Sequence, residues 1–292
     1  MEVQMKVLYL DCQMGAAGDM LTAALWELLP EGGREDLLRE LNSLGLPGVR
    51  FAAEPSVRCG IAGTHMRVTV DGEEEVPGDL DEHHHEPGHP HDHPHGHCHD
   101  HEHSHEHDHC HDHEYSHEHE HCHEHGHSHT SMRHIRDIIN GLPVSEKVKA
   151  DAAAVYTLIA EAESHAHGQP VEEIHFHEVG TMDAVADVVA VCMLMERIGA
   201  DEISASPVHV GSGRVHTAHG ILPVPAPATE YILRGVPIYG GSIRCELCTP
   251  TGAALLKHFA SRFGAMPVMR ISAIGYGMGK KDFERANCVR VL

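Results

Sequence analysis

Aromatic residues are scarce. Phe, Trp and Tyr together make up 4% of the chain, with a single Trp, so any core must be assembled from Ala, Val, Leu, Ile and Met. No run of apolar residues reaches the roughly 18 needed for a membrane-spanning helix. The opening stretch, Met1-Glu2-Val3-Gln4-Met5-Lys6-Val7-Leu8-Tyr9-Leu10, lacks a charged leader followed by a long apolar segment. No signal peptide is therefore expected, and the cytoplasm is the expected compartment. Basic patches are missing, and with them the electrostatic footprint of a nucleic-acid binder. A P-loop is missing too: the one Gly-Lys pair, Gly279-Lys280, has neither the upstream glycine spacing nor a following Ser or Thr to place magnesium. The 9 cysteines are an odd number without framework spacing and read as reduced thiols. In a strand, the lone Cys245-x-x-Cys248 would point its sulfurs to opposite sides, so a zinc or redox role is discounted.

What is present is a 292-residue chain that is 41% hydrophobic, enough for one or two domains. Its formal charge of −23 is unevenly spread, because residues 71–129 hold 18 of the 44 acids and no Lys or Arg. Within that stretch, residues 83–129 carry 23 histidines. A twelve-residue repeat runs through them: His97-Cys98-His99-Asp100-His101-Glu102, then His109-Cys110-His111-Asp112-His113-Glu114, then His121-Cys122-His123-Glu124-His125. Having almost nothing apolar to bury, this tract cannot offset its ordering entropy and is expected to be disordered. Its imidazoles and thiols suit nickel, zinc or copper. The remaining sequence predicts one mixed-sheet α/β domain, formed by residues 1–70 and 131–292 and interrupted by the metal-binding insertion at 71–130.

The densest group of ligand-type residues outside the tract is Ile174-His175-Phe176-His177-Glu178-Val179-Gly180-Thr181-Met182-Asp183-Ala184-Val185-Ala186-Asp187. If 171–177 is extended, His175 and His177 share a face. Asp183 and Asp187 stand four apart on the helix expected from Met182, so they share one as well. Two carboxylates so placed repel unless a cation or donors lie between them. Spacing alone leaves two readings level: a metal site of His175, His177, Asp183 and Asp187, or solvated carboxylates with satisfied histidines.

Other stretches suggest anion or cation sites more weakly. A strand at 7–10 runs through Asp11-Cys12-Gln13-Met14-Gly15-Ala16-Ala17-Gly18-Asp19 into an apolar helix at 20–29. Gly15 and Gly18 can expose backbone N–H groups to an anion, Asp11 and Asp19 can hold a cation, or the glycines simply turn the chain. An amphipathic helix is expected at 34–44, and strands at 49–57 and 64–70 flank a turn-rich segment. Ser145 should cap a helix running to Gly168. A strand is expected at 203–210, and His209, His216 and His219 form a second ligand group. Thr249, Thr251 and Gly252 precede an apolar helix at 253–263, where a phosphate or carboxylate would fit, and Lys280 follows a glycine loop.

Together and in order, Asp11-Cys12-Gln13-Met14-Gly15-Ala16-Ala17-Gly18-Asp19-Met20, His175-Phe176-His177-Glu178-Val179-Gly180, Thr249-Pro250-Thr251-Gly252-Ala253-Ala254 and Gly275-Tyr276-Gly277-Met278-Gly279 resemble the LarC family. These are nickel-insertion proteins (nickel chelatases) of the nickel-pincer nucleotide cofactor of lactate racemase. The resemblance covers essentially the whole chain outside the insert, although Gln13-Met14-Gly15 stands where the family usually has a serine-containing loop. It implies CTP-dependent insertion of nickel into pyridinium-3,5-bisthiocarboxylic acid mononucleotide. It further implies that CTP and a divalent cation are held mainly by a C-terminal part, for which this chain would be the N-terminal half. The implied partners are that C-terminal half, the pincer mononucleotide and, downstream, apo lactate racemase or a similar acceptor; a homo-oligomer is compatible with it. A different class of function, nickel or zinc storage or chaperoning without catalysis, would need only the tract.

Overall fold

A computed structural model of the protein describes residues 5–74, 130–176 and 178–292. In chain order the first part contains β1 (Val7–Asp11), α1 (Gly18–Glu27), α2 (Glu31–Leu41), β2 (Val49–Arg58) and β3 (Ile61–Val70). After the undescribed stretch come β4 (Thr130–Ser131), α3 (Met132–Gly141), α4 (Glu146–His167), β5 (His175–Phe176), α5 (Met182–Ile198), β6 (Glu202–Ala205) and β7 (Val208–His209). The chain continues through β8 (Arg214–Thr217), β9 (Gly220–Pro223), α6 (Pro227–Ile232), β10 (Ile238–Tyr239), α7 (Pro250–Phe259), β11 (Arg262–Phe263), β12 (Gly275–Met278) and β13 (Cys288–Val291). The fold is α/β around a mixed seven-stranded sheet of order β11-β6-β1-β13-β12-β3-β2. Strand β1 is parallel to β6 and antiparallel to β13, and β12 is parallel to β3. Residues on both sides of the undescribed stretch, such as Met66 and Met132, share one hydrophobic core.

Local chemistry accounts for most element ends. The β2–β3 hairpin closes at Arg58 and Ile61 through Cys59 and Gly60, with φ of 49° and 79°; positive values at both turn residues match the twist of a two-residue hairpin. Helix α4 starts where the Ser145 side chain accepts from Val148 N at 3.1 Å and stops at left-handed Gly168. Helix α7 begins earlier than its apolar run suggests, since the Thr249 hydroxyl accepts from Gly252 N and Pro250 occupies the first turn. The stretch read as one strand at 203–210 splits into β6 and β7 around Pro207, which has no N–H for the ladder. Helix α5 is buried on nearly all sides, and Val185, Val188, Val189, Val191 and Leu194 are fully enclosed. No helix among the described residues is long and apolar enough to cross a membrane.

The glycines of Gly275-Tyr276-Gly277, which read as an anion loop, are strand residues of β12 with a packing task. A Cβ on Gly277 would run into the Met20 carbonyl oxygen, and one on Gly275 into that of Ala24. Their bare faces let α1 lie directly on the sheet. The carboxylate of Glu27 fixes this contact by accepting from Thr64 Oγ1 at 2.6 Å and from Tyr276 N at 2.8 Å. Gly277→Ala is accordingly expected to destabilise the fold by about 1–3 kcal/mol, the usual range for overpacking. Gly32→Ala lies inside α2 with nothing near its added methyl and should stabilise by about 0.5–1 kcal/mol. Urea midpoints of the two variants, measured in parallel, check the pair of signs.

Candidate functional site

The β1–α1 loop docks on the segment before α7. Ala16 N donates to Leu247 O at 3.0 Å, and Thr249 N donates to Ala16 O at 3.1 Å. Gly15 (φ 88°) has no room for a Cβ beside the Leu247 carbonyl, and Gly252 has none beside that of Ala16. This close approach brings the first turns of α1 and α7 together, and the start of α5 adds a third. The three helix starts line a cavity of about 480 Å³, within the size range of small-molecule sites. Each helix N-terminus contributes partial positive charge.

Charged side chains of both signs reach this cavity. Asp19, Asp183, Asp187 and Glu246 supply carboxylates, Lys280 and Lys281 supply ammonium groups, and His216 supplies an imidazole. Thr249 and Thr251 also line it. Lys280 Nζ pairs with Glu74 Oε1 at 3.1 Å, and the same oxygen lies 3.1 Å from His65 Nε2. Lys281 Nζ donates to Cys245 Sγ at 3.1 Å. Burial pushes the Asp19 carboxyl above its ordinary value, opposed by Lys280, His65 and the Met20 N–H. Behind the α5 pair, Tyr156 is fully buried and donates its hydroxyl to Val179 O at 3.2 Å. Its phenol is raised well above the usual value by burial first and then by Asp183 and Asp187.

Of the residues singled out from sequence, Gly18, Asp19, Asp183, Asp187, Thr249, Thr251 and Lys280 line this one cavity. Others are placed elsewhere. Asp11 is buried and ion-paired with Arg290 at 2.6 Å across the β1–β13 register, so it is not a neighbour ligand of Asp19. Gly15 and Gly252 are not among the residues lining the cavity; each lies against a backbone carbonyl of the loop contact. The stretch 171–177 is not one strand: a 3-10 turn occupies Val171–Glu173, and only His175 and Phe176 pair with β4. Phe176 is buried, whereas His175 is exposed and absent from the cavity lining. His177 and the tract residues His97, Cys98, His99, His109, Cys110, His111, His121, Cys122 and His123 lie outside the described residues.

The second histidine group also divides. His209 is fully buried with Nδ1 2.9 Å from Gln13 O and Nε2 2.8 Å from Gly240 O, so both nitrogens are occupied. His219 packs on His167, ring centroids 4.6 Å apart, and only His216 of the three reaches the cavity. Among the described residues no three His, Cys, Asp or Glu side chains are placed to hold a metal ion as they stand. Glu246 was not foreseen; it has no local motif and enters through the pairing of Glu246 with Gly211.

The raised Asp19 carboxyl has a consequence for stability. Its folded pKa lies above its unfolded one, so the folded state binds the extra proton and stability falls as pH rises through that window. Below the ordinary carboxylate range both states hold the proton and the penalty is absent. In metal-free solution, wild-type protein should lose more urea resistance than Asp19→Asn as pH rises from about 3.5 to 7. Parallel pH profiles for the two proteins would contradict the assignment.

A family model described as nickel insertion protein matches residues 8–292. The chain is 36% identical over 293 residues to the pyridinium-3,5-bisthiocarboxylic acid mononucleotide nickel insertion protein of Geobacillus kaustophilus, covering 99% of this chain and 59% of that one. It is 34% identical to the protein of the same name from Staphylococcus epidermidis, over 98% of this chain and 59% of the relative. The Desulfitobacterium hafniense protein of that name is also 34% identical, over 98% and 58%. The chain thus spans about six-tenths of the length of these curated relatives. No solved structure matches it significantly.

Proposed function

The chain belongs to the nickel insertion protein family, and on that premise we propose that its cavity is where nickel meets pyridinium-3,5-bisthiocarboxylic acid mononucleotide during assembly of a nickel-pincer cofactor. The observation that carries this reading is the cavity itself: one volume lined by four carboxylates, an imidazole and two ammonium groups. Nickel is the cargo. Asp183 and Asp187 would hold it, with Asp19 and His216 completing the set as the substrate enters. Oxygen and nitrogen ligands bind nickel adequately, whereas the thioacid sulfurs of the acceptor form a softer, tighter set, so the transfer runs downhill.

In this reading the His-rich tract collects nickel and the cavity passes it on. The last described residue before that tract, Glu74, pairs with cavity-lining Lys280. CTP dependence, a lyase-class reaction, a cytoplasmic setting and supply of the finished cofactor to apo lactate racemase are parts of the same proposal. So is a C-terminal partner corresponding to the further length of the relatives, which would hold CTP with its divalent cation. No P-loop is available in this chain for that task. The cavity favours insertion over mere storage, because a store needs no anion-compatible pocket.

The test is nickel transfer to purified precursor in the presence of CTP and the C-terminal segment. Asp183→Asn/Asp187→Asn should lower transfer at least about tenfold, the loss of one or more charge-assisted contacts, while the tract still loads with nickel. Undiminished transfer by the double variant would remove the cavity from the mechanism. Nickel held by the tract should fall as pH drops through about 6.5, where imidazole protonates; equilibrium dialysis between pH 5 and 8 reads this directly.

A further inference from the structure

We infer that His209 is a positioning residue that acts as a buried imidazolium: both of its ring nitrogens donate, and the two bonds fasten the β1–α1 loop to the segment after β10. The inference goes beyond the nickel reading and does not depend on it. His209 closes β7 and is fully buried. Its Nδ1 lies 2.9 Å from Gln13 O in the β1–α1 loop, and its Nε2 lies 2.8 Å from Gly240 O. Both separations are those of N–H···O hydrogen bonds. A carbonyl oxygen can only accept, and a neutral imidazole has one donor and one acceptor nitrogen. Whichever tautomer a neutral ring adopted, one carbonyl would face a lone pair instead of a proton. Only the doubly protonated ring satisfies both.

The surroundings suit a cation. The Tyr239 ring lies parallel to the imidazole, with 8° between planes and 4.6 Å between centroids, and a π face at that range attracts positive charge. A buried charge is costly unless it is hydrogen-bonded and offset. The titratable groups acting on the stacked pair are Asp11, Arg285 and Cys12: burial and then Asp11 hold the Tyr239 phenol above its ordinary value, with Arg285 opposing and Cys12 adding. Asp11 thus brings negative charge to this region, and its Oδ1 is buried without a hydrogen-bond partner. The Tyr239 hydroxyl also donates to Gln13 O, at 3.3 Å, so one loop carbonyl is anchored twice. Three residues on, Ala16 makes the backbone bonds to Leu247 and Thr249 that bring the starts of α1 and α7 together. Removing one proton from the ring turns one of its two bonds into a repulsive contact. The loop is therefore fully fastened while the ring is doubly protonated and loosens as imidazole deprotonates with rising pH.

Nuclear magnetic resonance on the full chain labelled with nitrogen-15 histidine tests this. The chain has 33 histidines, but a ring N–H proton gives a signal only where burial slows its exchange with water. At about pH 6 one imidazole should show two slowly exchanging ring N–H signals. Both should shift in Tyr239→Leu, which removes the stacked ring, and both should vanish in His209→Gln. Over about pH 5.5 to 8, amide exchange at Gly15 and Ala16, corrected for intrinsic base catalysis, should accelerate about tenfold or more in wild type, the scale of one charge-assisted hydrogen bond. It should show no such acceleration in His209→Gln, whose side chain offers one donor and one acceptor at every pH. A space-filling role for His209 would leave the two profiles alike. One ring N–H signal instead of two, or matching profiles for wild type and His209→Gln, would overturn the clamp. If His209→Gln does not fold, the wild-type and Tyr239→Leu spectra decide between one ring proton and two.

Discussion

Close approach of backbone to backbone is the constraint on which the rest of this structure depends. Gly275 and Gly277 let α1 rest on β12, and Gly15 and Gly252 let the β1–α1 loop rest on the segment before α7. At all four positions a single methyl would collide with a carbonyl carbon or oxygen. Dense interiors do not absorb such an intrusion without moving an element. The cavity is what these contacts leave behind, since they fix where α1 and α7 begin while α5 crosses beside them. Motifs that look like phosphate loops are thus partly framework, and the residues facing the cavity flank those glycines, Ala17–Met20 after Gly15 and Thr249–Thr251 before Gly252.

The framework also explains why the charges tolerate one another. Asp11 is held by Arg290 on the sheet and takes no part in the cavity. Asp19 is set against Lys280, which is shared with Glu74 and, through it, with His65. Asp183 and Asp187 stand on a helix that is otherwise apolar as far as Glu196 and Arg197, with the Tyr156 phenol close enough to feel both carboxylates.

Sequence periodicity and capping were enough to read the elements that pack on all sides. The start expected for α5 at Met182 is the one observed, as are the Ser145 cap and Gly168 stop of α4. The hairpin of β2 and β3 was legible from its turn residues. Where the reading failed, a tertiary contact decided. His175 and Phe176 form a two-residue strand against β4, with Phe176 packed inside against Gly180 and His175, expected to face Asp183, exposed. Gly15 and Gly252 are indistinguishable in sequence from anion-binding glycines until the partner carbonyl is known. Glu246 carries no local signal, and only the pairing of its strand-like segment with Gly211 brings it to the cavity.

The division of labour proposed for tract and cavity rests on what each kind of site can do thermodynamically. A histidine tract binds metal by ligand density and offers many exchangeable arrangements, none of which orients an acceptor. Transfer needs a place where metal and acceptor are held together, so that displacement of the old ligands proceeds as an effectively intramolecular step. Residues 18–19, 183–187, 246–251 and 279–281 meet only in the folded chain, and their order in sequence gives no hint of it. Bare glycine contacts, rather than these side chains' own charges, fix the starts of α1 and α7. If the cavity is the transfer site proposed above, it must hold metal weakly alone and strongly with its acceptor, a property that a storage site does not need.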